Sequence, residues 1–328
     1  MTNPSPRILL VGAGAVGQVY GRHLNLGGAS VSFYVREKYK TELELGMPVY
    51  PLNHQKITQE PQQFRDFKLL TTIEEVAACE FDQIWLCVPA TALRDDWVEP
   101  MLKASGDAVI VSLIPGFEER AILLKHLPES RLVCGMITLI SYQAPLPNEA
   151  CHSPGMAYWF PPATPAYFSG PPAIVNLIVK LLKTGGQPAA KHRDVSAMGS
   201  SGTAILMPLL LGLERESWSF KQFTNTQALK DSLRAIQETL KIAAEQSSQK
   251  TPIWRHALVP SLFKTILWLG ERVLPLPLET YLKYHFTKVG AQTRLFIDAY
   301  IALGQDRDLP TGNLVKLRES APTVAPTH

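Results

Sequence analysis

Residues 7–17 read Arg-Ile-Leu-Leu-Val-Gly-Ala-Gly-Ala-Val-Gly, an apolar run that leads directly into three closely spaced glycines. The pattern predicts a buried parallel strand, a glycine turn and a helix that extends from Ala15 to Leu26. Such a turn directs backbone N–H groups and the positive end of a helix at a pyrophosphate. We therefore expect a dinucleotide to bind here, the alternative being an ordinary glycine-rich strand-to-helix turn; the predicted contacts are Gly12, Ala13, Gly14, Ala15, Val16 and Gly17.

The residues after the predicted second strand, Ser30–Tyr34, indicate which dinucleotide is bound. NAD sites usually carry an acidic residue here for the ribose 2′-OH, whereas NADP sites carry a basic residue for the 2′-phosphate. The chain reads Val35-Arg36-Glu37-Lys38, and the Arg36 guanidinium can hold a phosphate through two parallel N–H bonds. We expect the cofactor to be NADP (NADPH). Glu37 has the opposite sign and leaves NAD open, and Arg36 could also be a solvated loop arginine.

Strand-like runs alternate with helical stretches in the first half of the chain, which predicts a Rossmann-type, doubly wound parallel α/β sheet. The runs are Ile8–Val11, Val31–Tyr34, Ile84–Val88, Val109–Leu113 and Leu132–Thr138. Ligands bind at the carboxyl ends of such strands, so we add Val88, Pro89 and Pro115 to the cofactor contacts. We place this dinucleotide-binding domain at residues 1–190, with irregular strands such as Ala157–Phe160 closing it.

The remainder of the chain has helical periodicity and predicts an all-α second domain over residues 191–318, followed by a disordered tail at 319–328. The predicted helices are Ser201–Arg215, Thr226–Gln246, Ser261–Val273 and Leu278–Leu303. The segment Thr251–Leu282 is conspicuously apolar. We expect it to pack within the domain, and a dimer face or a lid is the alternative. Long helices also make a homodimer our expectation for the assembly.

Composition excludes several classes of protein. The 328 residues are 46% hydrophobic and 19% charged, as in a globular chain, and the net charge of +3 is too small for a nucleic-acid binder. Four cysteines without a CxxC pair favour a reducing, cytoplasmic setting. No leader peptide, membrane span or metal-ligand spacing is evident, so the expected partner is a small-molecule substrate.

Together, the opening motif Gly-Ala-Gly-Ala-Val-Gly at 12–17, the arginine after the second strand and the helical second domain resemble the ketopantoate reductase (2-dehydropantoate 2-reductase) family. Leu132–Met136 and Gln292–Leu317 are similar to two further regions of that family. The resemblance implies reduction of a 2-oxo acid by NADPH. It also implies that a lysine on a second-domain helix supplies the proton to the forming alkoxide.

The resemblance also shows where this chain departs from the family. The family's lysine position falls at Gly199, its two asparagines at Thr203 and Met207, and its late glutamate at Phe296. We therefore look elsewhere for the groups that a carbonyl reduction needs besides hydride, namely a proton donor and a partner for the developing oxyanion.

Two groups of residues could supply that chemistry. The resemblance implies that the family's substrate-facing positions on the late helix fall at Tyr284, Lys288, Gln292 and Phe296, which share a face if Leu278–Leu303 is one helix. Lys288 is then the candidate acid, and Tyr284 and Gln292 are candidate substrate ligands. His285 is a second candidate acid, and a solvated Lys288 is the alternative. At an expected helix entry, Met198–Thr203, the candidates are Ser200 and Thr203 for catalysis and Ser201 for substrate binding. The alternative is a helix N-cap with tight helix packing.

The leading interpretation is therefore an NADPH-dependent oxidoreductase that acts on a 2-oxo acid or related carbonyl. One alternative is an NADP-binding sensor that has lost the family's catalysis. The other is an interaction protein whose apolar 251–282 segment docks a partner or a membrane surface.

Overall fold

The computed structural model describes residues 5–114 and 116–322, and the chain divides into two compact units. The first unit comprises Met1–Pro115 and Glu119–Val195, and the second comprises Gly116–Glu118 and Ser196–His328. The main division falls after Val195, and the expected domain bounds 1–190 and 191–318 stay a prediction.

Up to residue 195 the chain alternates strands and helices. The elements are β1 (Arg7–Val11), α1 (Ala15–Leu26), β2 (Ser30–Tyr34), α2 (Lys40–Glu44), β3 (Met47–Pro51), β4 (Gln62–Phe64), β5 (Lys68–Leu70), α3 (Ile73–Ala77), β6 (Gln83–Leu86), α4 (Val98–Ala104), β7 (Val109–Ser112), α5 (Phe117–Leu124), β8 (Leu132–Met136), β9 (Ile140–Ala144), β10 (Gly155–Trp159), β11 (Ala166–Ser169), α6 (Pro172–Thr184) and β12 (Ala189–Lys191).

The main sheet has eight strands in the order β12-β11-β8-β7-β6-β1-β2-β5. All neighbours are parallel except β8 and β11. The five predicted strands lie at its centre, and the prediction of a Rossmann-type sheet is confirmed. Ile8, Leu10 and Trp85 are completely buried in these strands, which is why the sequence reads as nearly continuous apolar runs.

A second sheet, in the order β4-β3-β10-β9, was not predicted as a unit. The expected strand Ala157–Phe160 corresponds to β10 of this sheet, which begins two residues earlier and ends one residue earlier than expected. It pairs with β3 and β9. The sheet is fixed to α1 through His23, whose Nε2 lies 3.1 Å from the Tyr158 hydroxyl and whose Nδ1 lies 2.6 Å from the Gly185 carbonyl oxygen. This network holds the helix that begins at the glycine turn.

The second unit is helical, as predicted. Its helices are α7 (Val195–Arg215), α8 (Phe220–Asn225), α9 (Ala228–Gln246), α10 (Pro260–Val273), α11 (Leu278–Lys288), α12 (Gly290–Asp306) and α13 (Gly312–Glu319). Helix α7 is long and apolar enough to cross a membrane by length and composition, although no such stretch was predicted. Most of it is buried within the protein, as the core helix of a globular unit is.

Two boundaries correct the sequence-based expectations. Leu278–Leu303 is not one helix: it breaks at Val289, whose backbone angles are φ −108° and ψ 22°. Val289 is β-branched and Gly290 follows it, and neither residue favours a helix interior. At the other end, Glu319 belongs to α13 rather than to the expected tail, and residues 323–328 lie outside the described residues.

Candidate functional site

The glycine turn joins β1 to α1, and the fold itself explains two of its three glycines. Gly12 has φ +98°, a backbone conformation that side chains rarely adopt, and its N–H donates to the Tyr34 carbonyl at 3.0 Å. Gly17 faces the turn so closely that a Cβ there would lie 2.1 Å from the Gly12 carbonyl oxygen. Both positions therefore need glycine whether or not a ligand binds.

Gly14 is different, because among the described residues nothing beyond its chain neighbours and its own helix backbone lies within 4 Å of the place where its Cβ would be. It is exposed, it occupies the N-cap of α1, and it provides no side chain to cap that helix. The first turn of α1 also contains no acidic residue. The helix thus presents uncapped N–H groups and its positive end to open space, which is the arrangement that a pyrophosphate requires.

The other contacts predicted in the turn are in place around that opening. Ala13, Ala15 and Val16 are half-buried, and Ala13 is held by its carbonyl oxygen, which accepts a hydrogen bond from Gln18 Nε2 at 2.9 Å. The residues present fit the phosphates of a dinucleotide.

Arg36 lies two residues beyond β2, the strand that pairs in parallel with β1. Its side chain is exposed and makes no hydrogen bond or ion pair with the part of the chain that the structure describes. Lys38 nearby stacks over the Tyr39 ring at 5.0 Å. Because the strands are parallel, Arg36 follows the same sheet edge as the glycine turn. A free guanidinium at that edge fits a 2′-phosphate.

Three further contacts were predicted at strand ends. The Val88 side chain lies against the glycine turn, 3.3 Å from the Cβ position of Gly12. Pro89 is exposed and precedes a short 3-10 turn, Ala90–Arg94. Pro115 lies outside the described residues. The first two therefore share the carboxyl edge with the turn.

Sequence reasoning missed an ion pair in this unit. The Glu119 carboxylate is buried, and it accepts hydrogen bonds from the Arg94 guanidinium at 3.2 and 3.3 Å. Arg94 also donates to the Ala90 carbonyl oxygen at 3.0 Å. The pair is separated by 25 positions in the chain, so no local motif could have indicated it.

In the helical unit, the structure contradicts the expected helix entry at Met198–Thr203. Helix α7 begins at Val195, so these residues lie inside it and their N–H groups belong to the helix. The hydroxyls of Ser200 and Ser201 donate to the carbonyl oxygens four residues earlier, at 3.0 and 3.1 Å. The N-cap part of the alternative is also wrong, because neither hydroxyl lies at a helix end.

Thr203 belongs to a buried hydrogen-bond cluster that joins α7 to α12. Its hydroxyl lies 2.8 Å from the Tyr300 hydroxyl, which in turn donates to the Ser200 carbonyl oxygen at 2.6 Å. All three residues are buried. The geometry gives Thr203 and Ser200 a part in helix packing, and it does not place either hydroxyl on open surface.

The face proposed for Tyr284, Lys288, Gln292 and Phe296 is also corrected. The break at Val289 puts the first two on α11 and the last two on α12, so they do not follow one continuous helix. Tyr284 and Lys288 are exposed, Gln292 is half-buried and Phe296 is buried. Lys288 is therefore an accessible lysine, and its role as an acid stays a prediction.

His285 is the more unusual titratable group of α11. Burial, reinforced by the positive charge of Lys288, lowers its pKa to about 4. Its ring packs against Tyr281 and Phe286 at centroid distances of 5.5 and 4.8 Å. A neutral imidazole at pH 7 cannot donate as an imidazolium, which makes His285 the weaker candidate acid. Within the described residues, no cluster of His, Cys, Asp or Glu could hold a metal ion.

The chain is similar to known proteins in part of its sequence and in nearly all of its fold. The family model described as Ketopantoate reductase PanE/ApbA matches residues 8–164. No curated protein matches.

Solved structures share the fold at low sequence identity. A PanE/ApbA family ketopantoate reductase from Ralstonia eutropha has a TM-score of 0.72 at 14% identity, covering 95% of this chain and 96% of the other. A ternary complex of D-mandelate dehydrogenase with NADH and anilino(oxo)acetate has a TM-score of 0.71 at 14% identity, covering 96% of each.

A 2-dehydropantoate 2-reductase from Geobacter metallireducens has a TM-score of 0.70, again at 14% identity, covering 96% and 98%. The sequence match to the ketopantoate reductase family is confined to residues 8–164, and the solved structures share the fold over nearly the whole chain, so the chain has the ketopantoate reductase fold.

Proposed function

We propose that the protein is an NADPH-dependent reductase of a 2-oxo acid or a related carbonyl. The observation that carries the proposal is the uncapped start of α1 at Gly14, where the described residues leave the space beside the helix N–H groups open. The family match covers this turn, and related folds are described as reductases and dehydrogenases. When bound, the nicotinamide supplies the hydride.

NADP rather than NAD is proposed from Arg36, whose guanidinium is exposed and has no partner among the described residues. The test is to compare the affinities of NADPH and NADH in Arg36→Ala and in the control Arg65→Ala, a second exposed arginine of the same unit. Loss of a charge-assisted bidentate contact predicts about 30-fold weaker NADPH binding. NADH affinity should change little, and an equal loss for both nucleotides would contradict the assignment.

Lys288 is proposed as the proton donor because it is an accessible lysine on α11. Steady-state NADPH consumption is measured with a panel of 2-oxo acids and ketones. Replacing Lys288 with Ala should lower kcat about a hundredfold or more, while Lys283→Ala, an exposed lysine of the same helix, should leave it unchanged. Equal turnover in the two variants would remove Lys288 from the mechanism.

A second candidate function is an NADP-binding sensor. It is favoured by the helical unit, where the family's lysine and first asparagine positions are Gly199 and Thr203, and the Thr203 hydroxyl lies in a buried cluster. Saturable NADPH binding without turnover of any carbonyl in the panel would support the sensor. Turnover at any substrate would exclude it.

The assembly and setting are proposed as well. A homodimer should give twice the chain mass by light scattering, and a monomer would contradict it. A cytoplasmic setting fits the four cysteines, all of which carry free thiols.

A further inference from the structure

An exposed apolar surface is concentrated in one short segment of the helical unit. In the part of the chain that the structure describes, fourteen large apolar side chains are exposed, and eight of them lie within residues 253–273. They are Ile253, Trp254, Val259, Leu262, Ile266, Trp268, Leu269 and Val273. Such a concentration indicates a surface that contacts something other than water.

Helix α10 organises this surface. Positions 259, 262, 266, 269 and 273 alternate in spacing between three and four residues, so they form one stripe along the helix. Phe263 is buried and fixes the helix to the unit, which packs against it through α8, α9 and α11. The apolar stripe therefore does not face the unit's own core, as a core-packing helix would require.

Charge decides which occupant this surface fits. The segment 250–273 carries four basic residues, Lys250, Arg255, Lys264 and Arg272, against the single acidic residue Glu271. Neither Lys264 nor Arg272 forms an ion pair with a carboxylate among the described residues. A second copy of the chain would place two basic segments against each other, whereas an anionic surface would attract a basic segment.

The two exposed tryptophans point to the same occupant. Trp254 precedes α10, and Trp268 lies on it, where the Arg272 guanidinium stacks over its ring at 4.0 Å. Tryptophan and arginine on a short helix that also carries an apolar stripe are typical of helices that lie in the plane of a membrane surface.

We propose that α10 and the short turn before it dock the protein reversibly on an anionic lipid bilayer, with the stripe Val259, Leu262, Ile266, Leu269 and Val273 in the boundary between headgroups and acyl chains. Arg272, about a quarter turn from the stripe, then contacts lipid phosphates. Lys264, on the opposite side of α10, adds to the long-range attraction to the anionic surface. No segment crosses the bilayer in this arrangement, because α10 has only 14 residues.

The experiment is co-sedimentation of the full chain with vesicles of phosphatidylcholine alone or of phosphatidylcholine mixed with phosphatidylglycerol. We expect binding to the mixed vesicles at least about tenfold stronger than to the neutral ones, weakening as salt rises. The fluorescence of the tryptophans should shift to the blue on binding. Absence of sedimentation with the mixed vesicles would overturn the proposal.

Variants locate the contact. Ile266→Glu with Leu269→Glu should abolish vesicle binding, and Lys264→Glu with Arg272→Glu should remove the preference for anionic lipid. The control is Leu45→Glu, an apolar side chain that is 75% exposed in the other unit, and it should bind as the unmodified chain does. If the stripe variant misfolds by circular dichroism, Leu262→Glu with Val273→Glu repeats the test.

Light scattering shows whether the stripe docks on a lipid bilayer or on a second copy of the chain. If Ile266→Glu with Leu269→Glu converts a dimer to a monomer, the stripe is a subunit interface and the proposal is wrong. If the dimer persists while vesicle binding is lost, the proposal stands. NADPH affinity should be the same in all these variants, so failure here leaves the proposed reductase function untouched.

Discussion

The two glycine-containing segments at 12–17 and 199–203 look alike in sequence and differ completely in structure. The first lies between a strand and a helix, and Gly14 leaves the start of α1 uncapped. The second lies inside α7, where the hydroxyls of Ser200 and Ser201 donate to the carbonyl oxygens of their own helix. Small residues therefore indicate a ligand site only where the backbone groups beside them are free.

The sharpest contrast lies within the first segment, between Gly17 and Gly14. Gly17→Ala places a Cβ against the Gly12 carbonyl oxygen and should lower the free energy of unfolding by about 3 kcal/mol. Gly14→Ala places its Cβ where it meets none of the other described residues, and it should lower the free energy of unfolding by only about 1 kcal/mol or less, because alanine is a poorer N-cap residue than glycine. Urea denaturation measures both, and equal stabilities would show that the turn does not have this geometry.

The next effect concerns the packing that holds α1. Burial lowers the pKa of His23 to about 4, a change that the Arg22 charge reinforces and the Gly185 carbonyl opposes. The unfolded value is near 6.5, so the unfolded chain binds the proton more readily. Stability is complete above about pH 6.5 and declines as the pH falls towards 4, with about 2 kcal/mol lost at pH 5.

The measurement is urea denaturation at pH 7 and pH 5. His23→Gln should remove the part of the pH dependence that His23 contributes, about 2 kcal/mol at pH 5, while His285, whose pKa burial also lowers, keeps its own part. His126→Gln, at an exposed histidine, should retain it. An equal pH dependence in the two variants would mean that His23 is not the titrating group.

A smaller effect is expected in the second segment. Thr203→Val keeps the shape of the side chain but removes a hydroxyl that lies 2.8 Å from Tyr300, so unfolding should cost about 1 kcal/mol less. Ser201→Ala should be nearly neutral, because its hydroxyl bonds only to its own helix. If Thr203→Val instead keeps its stability and loses turnover a hundredfold, the hydroxyl has a catalytic role that the structure does not indicate.

The sequence predicted the nucleotide-binding unit better than the helical one, for a physical reason. Fully buried parallel strands such as Arg7–Val11 and Val109–Ser112 leave continuous apolar runs, and the glycine turn has fixed spacing. The second sheet was missed because β3, which reads Met-Pro-Val-Tyr-Pro, carries two prolines and lacks the alternation of a typical strand.

Site residues in the helical unit depended on where helices begin and end. The helical periodicity from Leu278 onwards was read correctly, but the break at Val289 came from a single residue and separated Lys288 from Gln292. Likewise, α7 starts six positions before the predicted Ser201, which moved three hydroxyls from a helix end to its interior. Helix ends are weakly marked in sequence, so an error in a predicted helix boundary also misplaces the site residues that depend on it.

The dinucleotide site at the start of α1 is tested most directly by titrating NADPH into the unmodified chain and into Gly14→Ala. Calorimetry or nucleotide fluorescence monitors the binding. We expect the unmodified chain to bind NADPH saturably below millimolar concentration. Gly14→Ala should keep its fold and bind NADPH at least about tenfold more weakly. No uptake at millimolar nucleotide, or equal affinity in both proteins, would contradict the claim that the open start of α1 is a dinucleotide site.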